Sequence, residues 1–194
     1  MNAFFDNAWT IAIGSGIILL IIANIKIPKP IQEKIVVPIE KAFGLCVGQQ
    51  THDGCIVEYN EQDKTLISKI NFNATEAKIC STIIRTGDRD MRRYVKKNKQ
   101  LKFNIKASNA ITKIVVEFML KDRENFSKDV ILSKDLEKLS DQEKKDGEKI
   151  ILFLSDFQSI PRYWEQWKEI KFFLRRSDNN GQGGTLQIKN VVIE

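Results

Sequence analysis

His52 is the only histidine in the chain, and it lies with Asp53 in the polar segment QQTHDG between Cys46 and Cys55. A Ser–His–Asp or Cys–His catalytic site would have to use this histidine, with one of those two cysteines as nucleophile in the second case. The segment is typical of an exposed turn, which favours a surface histidine. The sequence also contains no GxGxxG or P-loop motif, and no paired carboxylates that could be nominated as acid and base. We therefore predict that the protein is not an enzyme and uses no cofactor.

The three cysteines raise the question of a zinc site. Cys46, His52, Cys55 and Cys80 have the spacing C-x5-H-x2-C-x24-C, of which only the middle interval resembles a ligand pair. Structural zinc sites usually begin with a tight CxxC pair, which is absent, so we predict no metal site. Cys55 and Cys80 are expected to lie in the core within strands. The number of cysteines is odd, and a domain of this size does not need disulfide bonds to be stable. Both points favour reduced thiols, as in the cytosol.

The densest cluster of charge runs from Arg85 to Lys99, with seven basic and two acidic side chains. Arginine side chains grip phosphate through two parallel hydrogen bonds, and a tyrosine ring can stack on a base or a sugar. An anionic small molecule is the ligand that this chemistry would suit, whereas nucleic acid is not expected. The competing interpretation, which we favour, is a solvated loop that leads into the next strand. The candidate ligand-binding residues of this cluster are Arg89, Arg92, Arg93 and Tyr94.

A second cluster combines one arginine with three aromatic residues: Arg162, Tyr163, Trp164 and Trp167. Aromatic rings bury a large area and need a partner for their polar groups. We expect Trp167, which directly precedes a strand, to be buried in the core, and we expect Trp164 to be exposed. Arg162, Tyr163 and Trp164 are the second set of candidate ligand-binding residues.

The segment from Ala8 to Ile25 contains eighteen residues and no charge. As a helix it would span about 27 Å, close to the thickness of the hydrocarbon core of a bilayer. Its flanks suit a transmembrane anchor, and the absence of a basic n-region argues against a cleaved signal peptide. The residues assigned to the anchor and its ends are Trp9, Gly14, Gly16, Lys26 and Lys29.

The excess of lysine after this segment predicts, by the positive-inside rule, that the following domain is cytoplasmic. Gly14 and Gly16 would let two helices approach closely, although their spacing is not GxxxG, so a homo-oligomer is a possible assembly. The lipid bilayer is the partner that the sequence indicates most directly. We assign residues 1–27 to the transmembrane helix, 28–49 to a juxtamembrane linker and 50–194 to the soluble domain.

The soluble part reads as a succession of strands separated by turns. The composition, with 42% hydrophobic and 29% charged residues, is that of a folded globular protein. Period-2 alternation, as in Leu101–Lys106, predicts eight or nine strands, each with one buried and one solvent-exposed face, and little helix. This is the pattern of a mainly β, antiparallel two-sheet sandwich. A charged stretch at 121–149 interrupts the strands, and NNGQGG at 179–184 is a strong turn signal.

The order of LKFNIKAS, ITKIVVEFMLKD, ILFLSDFQ, WKEIKFFLRR and the closing GGTLQIKNVVIE resembles the galactose-binding-like jelly rolls found in many carbohydrate-binding modules. The resemblance covers roughly residues 50–194. It implies a two-sheet β-sandwich whose first and last strands lie near each other. It also implies that aromatic faces, here Tyr163 and Trp164, would hold a sugar.

These observations allow three functions. The first is a membrane-anchored, non-enzymatic binding or assembly protein whose cytoplasmic sandwich recognises a ligand or partner, in one version as a sensor and effector at the membrane. The second is an extracellular, membrane-tethered carbohydrate-binding protein, in which a Cys46–Cys55 disulfide would be plausible. The third is a structural subunit of a membrane complex, in which the charged stretch at 121–149 would contact a partner.

Overall fold

The computed structural model describes residues 34–47, 54–72, 77–120, 125–133 and 140–194, without the side chain of Lys144, and every structural statement below concerns this part of the chain. The predicted transmembrane helix with Trp9, Gly14, Gly16, Lys26 and Lys29 lies outside the described residues, as does His52. Within the described ranges, no helix is long and apolar enough to cross a bilayer.

The described residues form eleven strands, because most segments alternate apolar and polar side chains with the two-residue period of a strand. The strands are β1 (Ile35–Val36), β2 (Ala42–Val47), β3 (Cys55–Asn60), β4 (Thr65–Ile70), β5 (Ile79–Arg89), β6 (Gln100–Ala107), β7 (Lys113–Leu120), β8 (Asn125–Ile131), β9 (Glu148–Phe153), β10 (Trp167–Arg175) and β11 (Gly184–Ile193). Two short α-helices, α1 (Arg92–Lys96) and α2 (Asp141–Asp146), accompany 3-10 helices at Ile39–Lys41, Leu154–Asp156, Pro161–Trp164 and Ser177–Asn179.

The strands form two antiparallel sheets. The six-stranded sheet has the order β3-β4-β11-β6-β9, with β1 paired to the end of β11. The five-stranded sheet has the order β2-β5-β10-β7-β8. The two sheets pack face to face, which confirms the predicted mainly β sandwich.

Three segments differ from the sequence-based expectation. Ile35–Val36 and Ala42–Val47, which fall in the predicted linker, are paired into the sheets, and the compact unit begins at Lys34. The strand β5 continues through Arg85–Arg89, where a loop was expected, because β10 pairs with it at Arg85 and again at Arg89, with a shift in register between the two pairs. Within the charged stretch, β8 is a full strand, and Ser140 begins α2 through a capping box with Glu143.

The core between the sheets is mainly apolar, and the described residues include two polar contacts across it, one of them from the thiol of Cys55 to the carbonyl of Ser81 at 3.5 Å. Phe103 of the six-stranded sheet meets Phe172 of the five-stranded sheet edge to face, with ring centroids 5.1 Å apart. The hydroxyl groups of Ser68 and Thr82, both fully buried, form a 2.6 Å hydrogen bond between the sheets. Each hydroxyl therefore satisfies the other, which removes most of the cost of burying them.

A disulfide joins Cys46 of β2 to Cys80 of β5, at directly opposed positions in the five-stranded sheet. The expectation of reduced cysteines and the alternative Cys46–Cys55 pairing are therefore both wrong, because β2 lies beside β5. Cys55 is a buried free thiol, and burial raises its pKa to about 11. The predicted placement of Cys55 and Cys80 inside strands is confirmed.

The edge that carries the disulfide tolerates no side chain at Gly44. A Cβ placed there would lie 2.2 Å from the carbonyl oxygen of Cys55, so glycine is required for β2 and β3 to approach this closely. The disulfide and this glycine together fix the start of the five-stranded sheet.

Reduction of the disulfide should lower the stability of the fold. The bond closes a loop with a sequence separation of 34 residues, and a loop of this length corresponds to about 3–4 kcal/mol of unfolding free energy. We expect a reducing agent to lower the Tm of the unmodified protein, which carries the Cys46–Cys80 disulfide, in thermal unfolding. A Cys46→Ala/Cys80→Ala variant should start at the lower Tm and should not respond to reductant; a response of equal size in that variant would show that another effect is measured.

Candidate functional site

The arginine cluster is divided between two elements rather than forming one loop. Arg85 and Arg89 lie in β5, whereas Arg92 and Arg93 lie in α1. Tyr94 is turned into the protein and is only 8% exposed, and burial raises the pKa of its phenol. Tyr94 therefore does not offer a ring to a ligand, which corrects its assignment as a stacking residue.

Arg92 is occupied by a partner of its own. Its guanidinium holds the Asp90 carboxylate through two nitrogens, with the shortest contact at 2.6 Å, and this hydrogen bonding holds the pKa of Asp90 below its usual range. A second carboxylate, that of Glu165, lies 3.9 Å away. Arg93 is exposed and Arg89 is half-buried. The cluster thus presents less free positive charge than its composition indicates.

Both tryptophans of the second cluster are fully buried. Trp167 lies in the core, as predicted, but the prediction that Trp164 is exposed is wrong. The indole nitrogen of Trp164 donates to the carbonyl of Gln158 at 2.8 Å, and its ring packs against Phe118 with centroids 5.0 Å apart. Its polar group is satisfied inside the protein, so Trp164 cannot present a ring to a sugar.

Arg162 and Tyr163 remain at the surface beside this buried cluster. The Arg162 guanidinium lies 5.0 Å from the centre of the Tyr163 ring and donates to its hydroxyl at 3.1 Å. The ring of Tyr163 also meets Phe126 at 6.0 Å. Tyr163 is thus half-buried and held in place, with part of its ring already covered.

The fold brings the two predicted clusters together at one end of the sandwich. The amide of Met91, directly before α1, donates to the carbonyl of Trp164 at 2.8 Å. The ion pair between Arg92 and Glu165 bridges the same two segments. The aromatic residues around Phe118 close this end of the core, which gives both clusters a structural role.

The outer face of the five-stranded sheet is a candidate surface that sequence reasoning missed. Ile83, Val115 and Phe173 are each less than 8% exposed, yet they lie on the side of this sheet opposite the core. We define this outer face by the outward-pointing residues of β2, β5, β10, β7 and β8, which are Phe43, Leu45, Val47, Ile79, Ser81, Ile83, Arg85, Glu169, Lys171, Phe173, Arg175, Lys113, Val115, Glu117, Met119, Asn125, Ser127, Asp129 and Ile131.

Two aromatic rings on the outer face are each accompanied by an arginine. The Arg85 guanidinium lies 4.9 Å from the centre of the Phe43 ring, and that of Arg175 lies 5.5 Å from the centre of Phe173. Glu169 is 3.7 Å from Arg85 and helps to hold it there. Such pairs combine apolar contact area with hydrogen-bond donors at fixed positions.

Ion pairs run along the rest of the outer face and balance its charge. Lys171 and Glu117 lie side by side in the centre at 3.0 Å, and each side chain is about 15% exposed. Lys113 bridges the carboxylates of Asp129 and Asp178, and the hydrogen bond to Asp129 raises the pKa of this lysine. The four basic groups of this network, on Arg85, Lys113, Lys171 and Arg175, face four carboxylates, on Glu117, Asp129, Glu169 and Asp178.

Comparison with known proteins identifies the fold. The chain matches no protein-family model, and no curated protein matches it. Three solved structures of family 30 carbohydrate-binding modules share its fold, one of them from a cellulosomal cellulase of Clostridium thermocellum. Their TM-scores are 0.56, 0.53 and 0.52 at 15%, 15% and 14% identity, and the alignments cover 85%, 84% and 79% of this chain and 88%, 95% and 90% of theirs. The likeness shows a β-sandwich of the kind found in carbohydrate-binding modules.

Substitutions at Trp164 and Tyr163 should separate a fully buried aromatic residue from a half-buried one. Trp164→Ala removes a fully buried indole and should cost about 3–5 kcal/mol of unfolding free energy. Tyr163→Ala removes a half-buried ring and should cost about 1–2 kcal/mol. Chemical denaturation of both variants measures the difference; a Trp164→Ala variant as stable as the unmodified protein would contradict the buried position.

Proposed function

We propose that this chain is a non-enzymatic carbohydrate-binding protein whose ligand lies on the outer face of the five-stranded sheet. The observation that carries this proposal is that the half-buried ring of Phe43 and the 40% exposed side chain of Leu45 lie on a sheet face outside the core, with the Arg85 guanidinium over the ring of Phe43. The structural likeness to carbohydrate-binding modules supports the class of ligand.

The chemistry of the face favours a neutral sugar chain. Sugar rings have apolar C–H surfaces that pack on aromatic and aliphatic side chains, and hydroxyl groups that need donors and acceptors. The outer face supplies both: Phe43 and Leu45 lie on β2, and the Lys171–Glu117 pair lies in the same cross-strand row as Phe43, with Ile83 between them. Its basic and acidic groups balance, so it has no strong attraction for a polyanion.

The apolar segment from Ala8 to Ile25 is proposed to tether this domain to a membrane. The disulfide between Cys46 and Cys80 supports an oxidising compartment, and therefore a position outside the cytoplasm. The lysines that follow the apolar segment favour the opposite orientation by the positive-inside rule. We give the disulfide more weight, because the orientation argument rests on a few charges.

Binding to a soluble β-glucan should depend on Phe43. The full chain, kept soluble in a detergent without a sugar headgroup, would be titrated with hydroxyethylcellulose by calorimetry. We expect Phe43→Ser to weaken binding about tenfold, because it removes one aromatic contact worth about 1–1.5 kcal/mol. Tyr163→Ala should leave the affinity unchanged.

Phe153 provides the matched control for this experiment. It is an exposed phenylalanine at 38%, and it lies in β9 of the opposite sheet. Phe153→Ser should therefore bind as the unmodified protein does. Equal losses in Phe43→Ser and Phe153→Ser, or a loss confined to Tyr163→Ala, would move the site away from the outer face.

The orientation of the domain can be measured with a single accessible thiol. Glu61→Cys places it in the exposed turn after β3, in a Cys55→Ser background that keeps the disulfide. We expect an impermeant thiol reagent to label this cysteine in intact cells, whereas Asn2→Cys in the same background should be labelled only after permeabilisation. The reverse pattern would support the alternative of a cytoplasmic binding domain at the membrane.

A further inference from the structure

A pocket of about 450 Å³ opens where β10 ends and β5 begins, and it is lined by Lys78, Arg176, Ser177, Asn180 and Gly181. Arg176 directly follows Arg175, the last residue of β10, and Lys78 directly precedes β5, so the pocket lies at this end of the five-stranded sheet. It belongs to none of the clusters described above.

The two cations of the pocket differ from those on the outer face. Among the residues that the structure describes, neither Lys78 nor Arg176 forms an ion pair, whereas every basic group of the outer-face network does. The carboxylate of Asp178, two residues after Arg176, is engaged by Lys113 and Arg175. The pocket therefore carries positive charge that no described group neutralises.

The loop that forms the pocket is held rigidly. The buried side chain of Asn179 accepts hydrogen bonds from the amides of Thr112 and Lys113 and donates to the carbonyls of Lys113 and Arg175. All four of its hydrogen-bonding positions are thus used to fix the loop to β7 and β10. Asn180 and Gly181 follow with φ angles of 53° and 74°, and this left-handed pair turns the chain back toward β11.

The lining groups are suited to a small oxyanion. A guanidinium and an ammonium bind carboxylate and sulfate oxygens through charge-assisted hydrogen bonds, and the hydroxyl of Ser177 and the amide of Asn180 can add neutral ones. Because the loop is already ordered, little conformational entropy would be lost on binding.

We infer that this pocket binds the carboxylate or sulfate substituent of an acidic carbohydrate whose neutral part lies on the outer face. This inference rests on the proposed function for the neutral part. It adds that the preferred glycan is acidic, although the outer face itself is charge-balanced.

A matched pair of polymers tests the inference. Carboxymethylcellulose and hydroxyethylcellulose share one backbone, and only the first carries carboxylates. We expect the full chain to bind carboxymethylcellulose about tenfold more tightly at constant ionic strength, since one charge-assisted contact has about this effect. Lys78→Gln/Arg176→Gln should make the two affinities equal while leaving that for hydroxyethylcellulose unchanged.

The control variant removes the same charge elsewhere. Lys96→Gln/Lys97→Gln lies on exposed positions at the end of α1 and should keep the tenfold preference. If both double variants lose it equally, the preference reflects net charge and the pocket assignment is wrong. If the unmodified chain shows no preference, the assignment is also wrong, although the proposed function would stand.

A third measurement separates failure of the pocket from failure of the proposed function. Sodium glucuronate, with glucose as the neutral control, would be titrated while the amide signals of Ser177–Gly181 are followed by NMR. Saturable shifts that Lys78→Gln/Arg176→Gln abolishes and Phe43→Ser does not would support the pocket even if no polymer binds the outer face. The absence of saturable shifts would overturn it.

Discussion

The register of β10 between β5 and β7 is the constraint on which both faces of the five-stranded sheet depend. It pairs Ile170 with Ile84 and Phe118, and Phe172 with Thr82 and Val116, so that all of these side chains enter the core. The residues between them, Lys171 and Phe173, must then point outward. A slip of one residue would exchange the two sets and place a lysine in the core, which is why this register is strongly specified.

The same register explains why the outer face is charge-balanced and the adjoining pocket is not. Cross-strand neighbours on a sheet face lie close enough for ion pairing, so each outward cation of β10 meets a carboxylate on β7, β8 or the following turn. Beyond Arg175 the strand ends and this pairing stops. Arg176 and Lys78 are neighbours across the ends of β10 and β5, joined by a backbone hydrogen bond of 2.8 Å, and neither forms an ion pair among the described residues. The end of the strand is thus the point at which the surface changes from neutral to basic.

The strands could be predicted from the sequence, whereas the proposed binding surface could not. Alternation in Leu101–Lys106 and the turn at 179–184 are local signals, and the structure contains both. The outer face depends on pairings between segments far apart in the chain, and in EIKFFLR the adjacent Phe172 and Phe173 hide the alternation that would assign them to opposite faces. Trp164 was misplaced for a related reason, because its partner, the carbonyl of Gln158, becomes available only through a turn. Arg92 was overrated as a ligand-binding residue because its pairing with Asp90 cannot be read from charge counts.

A fold shared at 14–15% identity supplies a scaffold and does not transfer a ligand. The ligand must be argued from this chain's own side chains, and here those side chains lie mostly on strands whose positions the sheet pairing fixes. Binding on such a surface requires little ordering of the backbone, so the change in affinity on removing Phe43 reports mainly the contacts of that ring. The same holds for the pocket, because Asn179 has already fixed its loop. Differences between matched variants should therefore be assignable to individual contacts on the outer face and in the pocket.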